Sequence, residues 1–214
     1  MLKTLVDTPD LPVRLAERLQ HRLPGIPAQR CFEPGLSYGR HFGPAPLSVR
    51  PAAVMVLLYR RDGAWHLPLT ARPETMVHHA GQISFPGGQI EPGESSREAV
   101  LRELEEELGV AGDAVDLLGM LSPLYLYASN FTVTPWLACA SGPLVFHPHA
   151  EEVSELIELP LAAVLDPEQR GTHVHRSRGV NVLVPHIAWG EHRIWGATSM
   201  ILGELAAICE DLRA

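Results

Sequence analysis

Apolar and polar residues follow two kinds of pattern along this chain. Short apolar runs, bounded by Gly, Pro or charged residues, predict strands at residues 52–59, 65–72, 115–121, 131–139, 153–159, 180–189 and 192–196. Apolar residues three and four positions apart predict helices at residues 11–23, 96–108, 161–166 and 197–212. Several strands with a few helices between them predict an α+β or α/β/α-layered fold built on a mixed sheet.

Pro- and Gly-rich segments separate these elements. Residues 24–50 predict a connecting segment without a helix or a long strand, and residues 73–96 predict mostly loop. We therefore expect a main domain over residues 51–214. Residues 1–50 should pack on it as an N-terminal helix followed by a Pro-rich connection.

Composition and charge narrow the classes of function. The chain has 214 residues, of which 46% are hydrophobic, and a net charge of −8. This apolar content excludes a predominantly disordered chain, and the negative charge disfavours nucleic acid as a partner. No apolar run reaches the ~18 residues that span a bilayer, and the first residues lack the apolar core of a secretory signal. Three widely spaced cysteines argue against a disulfide framework, so we expect a cytoplasmic protein without membrane contact.

Acidic residues concentrate in and before the helix predicted at residues 96–108. Seven glutamates and two arginines between Glu91 and Glu107 give a net charge of −5 over 17 residues. At roughly 100° per residue, Glu103, Glu106 and Glu107 share one side of this helix. Like charges in this arrangement destabilise a helix, whereas a hard divalent cation such as Mg²⁺ or Mn²⁺ would be bound by them. The alternative interpretation is an ordinary solvated face.

A Gly-rich turn precedes the acidic helix. Gly87 and Gly88 permit backbone conformations closed to other residues, and they leave backbone oxygens and amides accessible. Beside three carboxylates, such a turn predicts one wall of a binding site for a metal ion or a phosphate.

The turn and the helix together resemble a known motif. The pattern Gly88-x5-Glu94-x7-Arg102-Glu103-Leu104-x-Glu106-Glu107-x-Gly109-Val110 matches the Nudix box at every specified position. The resemblance implies an α/β/α sandwich in which the box forms a loop, a helix and a second loop. It also implies hydrolysis of a nucleoside diphosphate linked to another moiety, by water that divalent ions activate.

The resemblance further implies roles by position. Glu94 and Arg102 would pair and orient the helix, or form only an ordinary ion pair. The implied metal ligands are Gly88 (through its carbonyl), Glu103, Glu106 and Glu107.

The motif does not fix the general base. Glu103 is one candidate, and the downstream glutamates Glu151, Glu152 and Glu155 are others. Of these three we expect Glu152 to be catalytic. The alternative is that all three form a charged strand edge.

Residues upstream of the box are similar to the signature of the coenzyme A pyrophosphatase branch of the family. The matching residues are Leu69, Thr70, Arg72, Gly81, Phe85, Pro86, Gly87 and Gly88. The stretch Ile194-Trp195-Gly196-Ala197-Thr198 also resembles that branch. The resemblance implies hydrolysis of coenzyme A to 3′,5′-ADP and 4′-phosphopantetheine. The implied substrate-binding residues are Arg72, Gly81, Phe85, Gly87 and Gly88.

The branch signature is not matched throughout. The departures are Pro68 for Leu, Pro73 for Ser or Ala, and Val77 for a second Arg. Arg is the natural bidentate partner of the 3′-phosphate of coenzyme A. Without that Arg, either Arg72 with His78 or His79 binds this phosphate, or coenzyme A is not the best substrate.

Four alternatives stay open. The chain could hydrolyse another nucleotide, such as ADP-ribose, NADH or a dinucleoside polyphosphate, or sense a nucleotide without catalysis. His147, His149, His173 and His175 could form a zinc site, although surface positions explain them better. The helix predicted at 197–212 either packs on the core or forms a homodimer interface.

Overall fold

The computed structural model describes residues 8–35, 37–73, 81–177 and 179–213. Its helices are α1 (Leu11–Leu19), α2 (Ile26–Gln29), α3 (Ser96–Leu108), α4 (Leu161–Leu165) and α5 (Ala197–Asp211). Its strands are β1 (Arg50–Arg61), β2 (Ala64–Ala71), β3 (Ile83–Ser84), β4 (Gly87–Gln89), β5 (Val115–Met120), β6 (Leu124–Leu126), β7 (Phe131–Ala140), β8 (Glu155–Pro160), β9 (Arg170–Ser177), β10 (Val180–Trp189) and β11 (His192–Trp195). None of the described helices is both long and apolar enough to cross a membrane.

Strand β1 lies between two layers of helices, and both of its faces are buried. It pairs in parallel with β7 over most of its length. On one face, Met55 and Leu57 pack in a cluster with the apolar side of α3. On the other face, Val56 and Leu58 pack in a second cluster with α5. A strand buried on both faces needs no polar alternation, which explains the continuous apolar run at residues 52–59. The predicted α/β/α layering is confirmed.

The large sheet combines parallel and antiparallel pairs. Its strand order is β3-β2-β1-β7-β5, with β4 beside β1, β6 beside β7 and β8 beside β2. Among the described registers, β1–β7 is parallel and the remaining pairs are antiparallel. A smaller sheet has the order β11-β10-β9. The mixed sheet confirms the predicted α+β class.

Helix α3 begins and ends where the sequence predicts. The Ser95 hydroxyl accepts a hydrogen bond from the amide of Glu98 at 3.2 Å, and the Glu98 carboxylate accepts one from the amide of Ser95 at 2.8 Å. Gly109 ends the helix with φ of 66°, and a Cβ at this position would lie 2.9 Å from the Cβ of His147. These caps fix the ends of the helix that carries the acidic residues.

The N-terminal segment departs from the prediction. Helix α1 ends at Leu19, before its predicted end, and α2 lies inside residues 24–50, for which we predicted no helix. Two 3₁₀ turns, Arg30–Phe32 and Arg40–Phe42, follow it. A helix of four residues has no apolar period to detect. Its second residue, Pro27, is tolerated because first-turn amides need no helical partner.

A buried glutamate joins this segment to α5. Glu204 is fully buried, and its carboxylate accepts hydrogen bonds from the amide of Gly25 at 2.9 Å and from the side chain of Gln29 at 3.0 Å. The amide and the hydroxyl of Ser122 also donate to it, at 3.1 and 2.6 Å. These four hydrogen bonds replace the ones that the carboxylate would make with water if it were exposed.

The sequence pattern misses four short or polar strands. Strands β3 and β4 lie within the predicted loop of residues 73–96, and β6 has only three residues. Strand β9 has few apolar residues, and it is held by antiparallel pairing with β10 along its whole length. Such strands show no alternation of apolar and polar residues, because neighbouring strands rather than their own sequence determine that they pair.

Candidate active site

Arg102 holds three carboxylates together at the acidic helix. Its guanidinium donates to both oxygens of Glu94, at 2.9 and 3.1 Å, and to single oxygens of Glu103 at 3.0 Å and Glu106 at 2.8 Å. The hydrogen bonds from Arg102 hold the pKa of Glu94 below its ordinary value. The predicted pair of Glu94 and Arg102 is formed, and it extends to two of the predicted metal ligands.

Glu107 lies in a different environment, because its side chain faces the interior. It is 4% exposed, and it accepts a long hydrogen bond from the hydroxyl of Thr70 at 3.4 Å. Burial raises the pKa of Glu107 to about 7, against the opposing effect of the Arg72 charge. Burial also raises the pKa of Glu103. These two carboxylates therefore hold a negative charge less readily than an exposed glutamate does.

Strand β4 brings the glycine turn against both β1 and α3. Gly87 has φ of 151°, and a Cβ on it would lie 2.3 Å from the carbonyl oxygen of Ala53 in β1. A Cβ on Gly88 would lie 2.2 Å from Oε1 of Glu103. Gly87 therefore requires glycine, whereas a side chain at Gly88 would displace the Glu103 carboxylate. The second contact puts the backbone of Gly88 directly beside a predicted metal ligand.

Residues 147–152 close the site at the C-terminal end of α3. The amide of His147 donates to the carbonyl of Leu108 at 2.8 Å, and the amide of His149 donates to the carbonyl of Glu107 at 2.9 Å. These bonds satisfy carbonyls that the helix end leaves without partners. The prediction of surface positions for these histidines misses this backbone role, which has no signal in the sequence.

Of the three downstream glutamates, Glu152 acts electrostatically on carboxylates of α3. Burial is the main cause of the raised pKa values of Glu103 and Glu107, and the negative charges of a neighbouring α3 glutamate and of Glu152 add to it. Glu155 begins β8 and contacts His192 at 3.1 Å instead. Glu151 is exposed in the turn before β8. The structure therefore brings only Glu152 of these three into the electrostatic field of the acidic helix.

A cavity of about 310 Å³ adjoins the glycine turn, on the face of β1 that is turned toward α5. Its wall near the turn includes four of the predicted substrate-binding residues: Arg72, Phe85, Gly87 and Gly88. Its remaining wall is largely apolar and aromatic, with Leu126, Phe131, Val133, Trp195 and Ile201. The prediction omits Phe131 and Trp195. For Trp195 a signal existed, since it lies in the stretch that resembles the coenzyme A branch.

Gly81 is the predicted substrate-binding residue that does not line this cavity. Its amide donates to the carbonyl of Arg72 at 3.1 Å, and the amide of Arg72 donates to the carbonyl of Gln82 at 3.1 Å. Gly81 is thus held beside the backbone of Arg72, directly after β2. Val77, His78 and His79 lie outside the described residues.

The oxygen donors at the site fit a hard divalent cation, although they do not surround one position. Among the described residues, no three His, Cys, Asp or Glu side chains stand in an arrangement that could hold a metal ion. Arg102 instead binds Glu103 and Glu106. Carboxylates and a backbone carbonyl are the ligands that Mg²⁺ and Mn²⁺ prefer, and a cation would offset the unfavourable burial of Glu107.

The histidines of the alternative zinc site lie in two different surroundings. His147 and His149 cap α3, whereas His173 and His175 lie on β9. The Nδ1 atoms of His173 and His186 are 3.1 Å apart, and the ring of His175 lies 4.6 Å from that of Trp195. The contacts of these histidines are therefore explained without a metal.

Comparison with known proteins agrees with this geometry. The sequence model of the NUDIX domain matches residues 49–178. An uncharacterized Nudix hydrolase, NudL, of Yersinia enterocolitica is 41% identical over 158 residues, which cover 72% of this chain and 79% of the relative. NudL of Cronobacter sakazakii is 36% identical over 170 residues, covering 75% and 83%. A MutT/nudix family protein of Enterococcus faecalis shares the fold, with a TM-score of 0.52 and 20% identity over 78% of this chain and 64% of its own. The chain therefore belongs to the Nudix hydrolase family, which acts on nucleoside diphosphate derivatives.

Proposed function

We propose that this chain hydrolyses the diphosphate bond of coenzyme A or its acyl derivatives. The products are 3′,5′-ADP and 4′-phosphopantetheine or its acyl form. Water attacks one phosphorus, and the bond from that phosphorus to the bridging oxygen breaks. Support comes from residues 69–88, which are similar in sequence to the signature of the coenzyme A branch, and from the cavity that Arg72, Phe85 and Gly87 line.

The cavity is the observation that carries this proposal. Coenzyme A bears a long pantetheine arm of low polarity on one side of its diphosphate. The cavity offers an apolar and aromatic wall that begins at the glycine turn, where the diphosphate would lie. An apolar wall with a few polar groups at one end is typical of a site that binds such an amphiphilic molecule.

Under this proposal, each residue of the site has a separate role. Glu103, Glu106, Glu107 and the Gly88 carbonyl would hold Mg²⁺ or Mn²⁺. When bound, such ions neutralise the diphosphate and lower the pKa of a bound water. Arg72, which lines the cavity beside the turn, binds a substrate phosphate.

Glu152 accepts the proton of the attacking water in this scheme. It is carried by a turn that the α3 cap fixes, and its charge acts on Glu103 and Glu107. Its side chain is half exposed, so solvent water reaches it. Arg102 and Glu94 hold the helix in position.

A second candidate function is hydrolysis of another nucleoside diphosphate derivative, such as ADP-ribose, NADH or a dinucleoside polyphosphate. Val77 favours it, because the Arg usual at this position would supply a phosphate partner that coenzyme A needs and ADP-ribose does not.

Product analysis distinguishes the two candidates. The purified chain is incubated with coenzyme A, ADP-ribose, NADH or diadenosine polyphosphates, with Mg²⁺ or Mn²⁺, and the products are separated by chromatography. We expect 3′,5′-ADP to form fastest, and only with metal. Faster cleavage of another nucleotide would reject coenzyme A as the main substrate. A lack of cleavage with either metal would leave nucleotide sensing as the function.

A further inference from the structure

Arg50 stands at the rim of the cavity, at the first position of β1. Its guanidinium carbon lies 4.0 Å from the centre of the Phe131 ring, and Nη2 donates to the carbonyl of Ser129 at 2.9 Å. Both Phe131 and Ser129 line the cavity. Arg50 itself is exposed, so its remaining N–H groups are open to a ligand.

The surroundings of Arg50 favour an anion. Among the described residues, no carboxylate lies within ion-pair distance of Arg50. The ring and the carbonyl hold its guanidinium in one orientation, so little side-chain entropy is left to lose on binding. A guanidinium held in this way presents paired N–H groups that match the geometry of a phosphate.

A second cation, Arg40, contacts the connection between β6 and β7, but it is less available than Arg50. Arg40 lies 4.2 Å from the centre of the Tyr127 ring, and Nη2 donates to the Tyr127 hydroxyl at 3.4 Å. Its Nε also donates to the carbonyl of Ser37 at 2.9 Å. More donors of Arg40 than of Arg50 are therefore used within the protein.

The position of Arg50 along β1 sets its separation from the reacting phosphates. Gly88 lies opposite Ala53, which is three residues further along the strand. At ~3.3 Å per residue, Arg50 is about 10 Å along the strand from the glycine turn. A single nucleotide with a diphosphate at the turn and a second phosphate group on its ribose could contact both places.

We propose that Arg50 binds the 3′-phosphate of the substrate and so selects coenzyme A over nucleotides that lack this group. The proposal rests on the proposed function, and it assigns to Arg50 the phosphate contact that Val77 cannot make. Phe131 acts as a positioning residue, because its ring holds the guanidinium at the rim.

Paired substrates test this assignment. Coenzyme A and 3′-dephospho-coenzyme A differ only in the 3′-phosphate, so a residue that binds this group affects one substrate alone. Charge-assisted hydrogen bonds to a phosphate predict that Arg50→Ala lowers kcat/KM for coenzyme A by about 10- to 100-fold. The loss should lie in KM rather than kcat, because this contact forms equally in the bound substrate and the transition state. For the dephospho form, kcat/KM should stay unchanged, and Arg50→Lys should fall between the two.

Arg60→Ala is the matched control. Arg60 also stacks on an aromatic ring, with its guanidinium 5.1 Å from the centre of the Trp65 ring, but it lies near the other end of β1. The Arg60→Ala substitution should change kcat/KM for neither substrate. Thermal unfolding midpoints of the variants show whether each remains folded.

The outcomes separate this inference from the proposed function. If Arg50→Ala slows both substrates equally, Arg50 only supports Phe131, and the inference is wrong. If Arg50→Ala slows neither substrate, the 3′-phosphate is bound elsewhere and the inference is also wrong. If the unchanged chain cleaves neither substrate, the proposed function fails and the inference fails with it. Calorimetric binding of 3′,5′-ADP and 5′-AMP gives a readout without turnover, in which Arg50→Ala should abolish any preference for 3′,5′-ADP.

Discussion

At the scale of single residues, neighbouring glutamates of α3 have different tasks. Glu105 and Glu106 are adjacent and both exposed, but only Glu106 is bound by Arg102 and shares a helix face with Glu103. We predict that Glu106→Gln lowers kcat by more than the ~100-fold expected for a residue that only orients a metal ligand, because an anionic oxygen donor is lost. Glu105→Gln should leave kcat near that of the unchanged chain. Steady-state kinetics with Mg²⁺ or Mn²⁺ measure both, and equal kcat values in the two variants would remove Glu106 from the site.

Residues close together on one helix are predictable from spacing, whereas residues that meet through the fold are not. The 3.6-residue period of a helix is enough to place Glu103, Glu106 and Glu107 on one face. Nothing in the sequence indicates that Phe131 would line the same site as Gly88. The two meet because β7 and β4 both pair with β1.

At the scale of elements, one buried carboxylate holds α2 against α5. Each oxygen of Glu204 accepts two hydrogen bonds, from Gly25 and the Ser122 hydroxyl on one side and from Gln29 and the Ser122 amide on the other. In Glu204→Gln, the side-chain NH₂ group faces N–H or O–H donors in either orientation of the amide, so hydrogen bonds made by the carboxylate are lost. We predict a loss of about 2–4 kcal/mol in the free energy of unfolding, measured by urea denaturation.

Glu210→Gln on the same helix is the control for this prediction. Glu210 is exposed, with only a 3.9 Å ion pair to Arg170, so its substitution should cost less than about 0.5 kcal/mol. Similar losses in the two variants would contradict a special role for Glu204. The sequence pattern does not reveal this role, because an apolar helical period around Glu204 predicts a helix but not a polar contact within its buried face.

At the scale of the whole molecule, the layers are predictable but the cavity is not. The run at residues 52–59 and the capped helix α3 each carry a local signal, so the α/β/α order follows from them. The cavity takes its walls from β1, β3, β4, β6, β7, β11 and α5. Its shape depends on how β11 and α5 close over β1, which is a property of tertiary packing.

Chemical modification of the three cysteine thiols tests this packing in one experiment. Cys31 is exposed, whereas burial raises the pKa of Cys139 to about 11 and that of Cys209 to about 12. Because the thiolate is the reactive form, a disulfide reagent at pH ~8 should modify one thiol quickly and the other two only when the chain opens. Absorbance of the released chromophore should give one fast equivalent in buffer and three in guanidinium chloride. Cys31→Ser should abolish the fast phase. Three fast equivalents in buffer would mean that β7 and α5, which carry the other two thiols, are not packed as the structure has them.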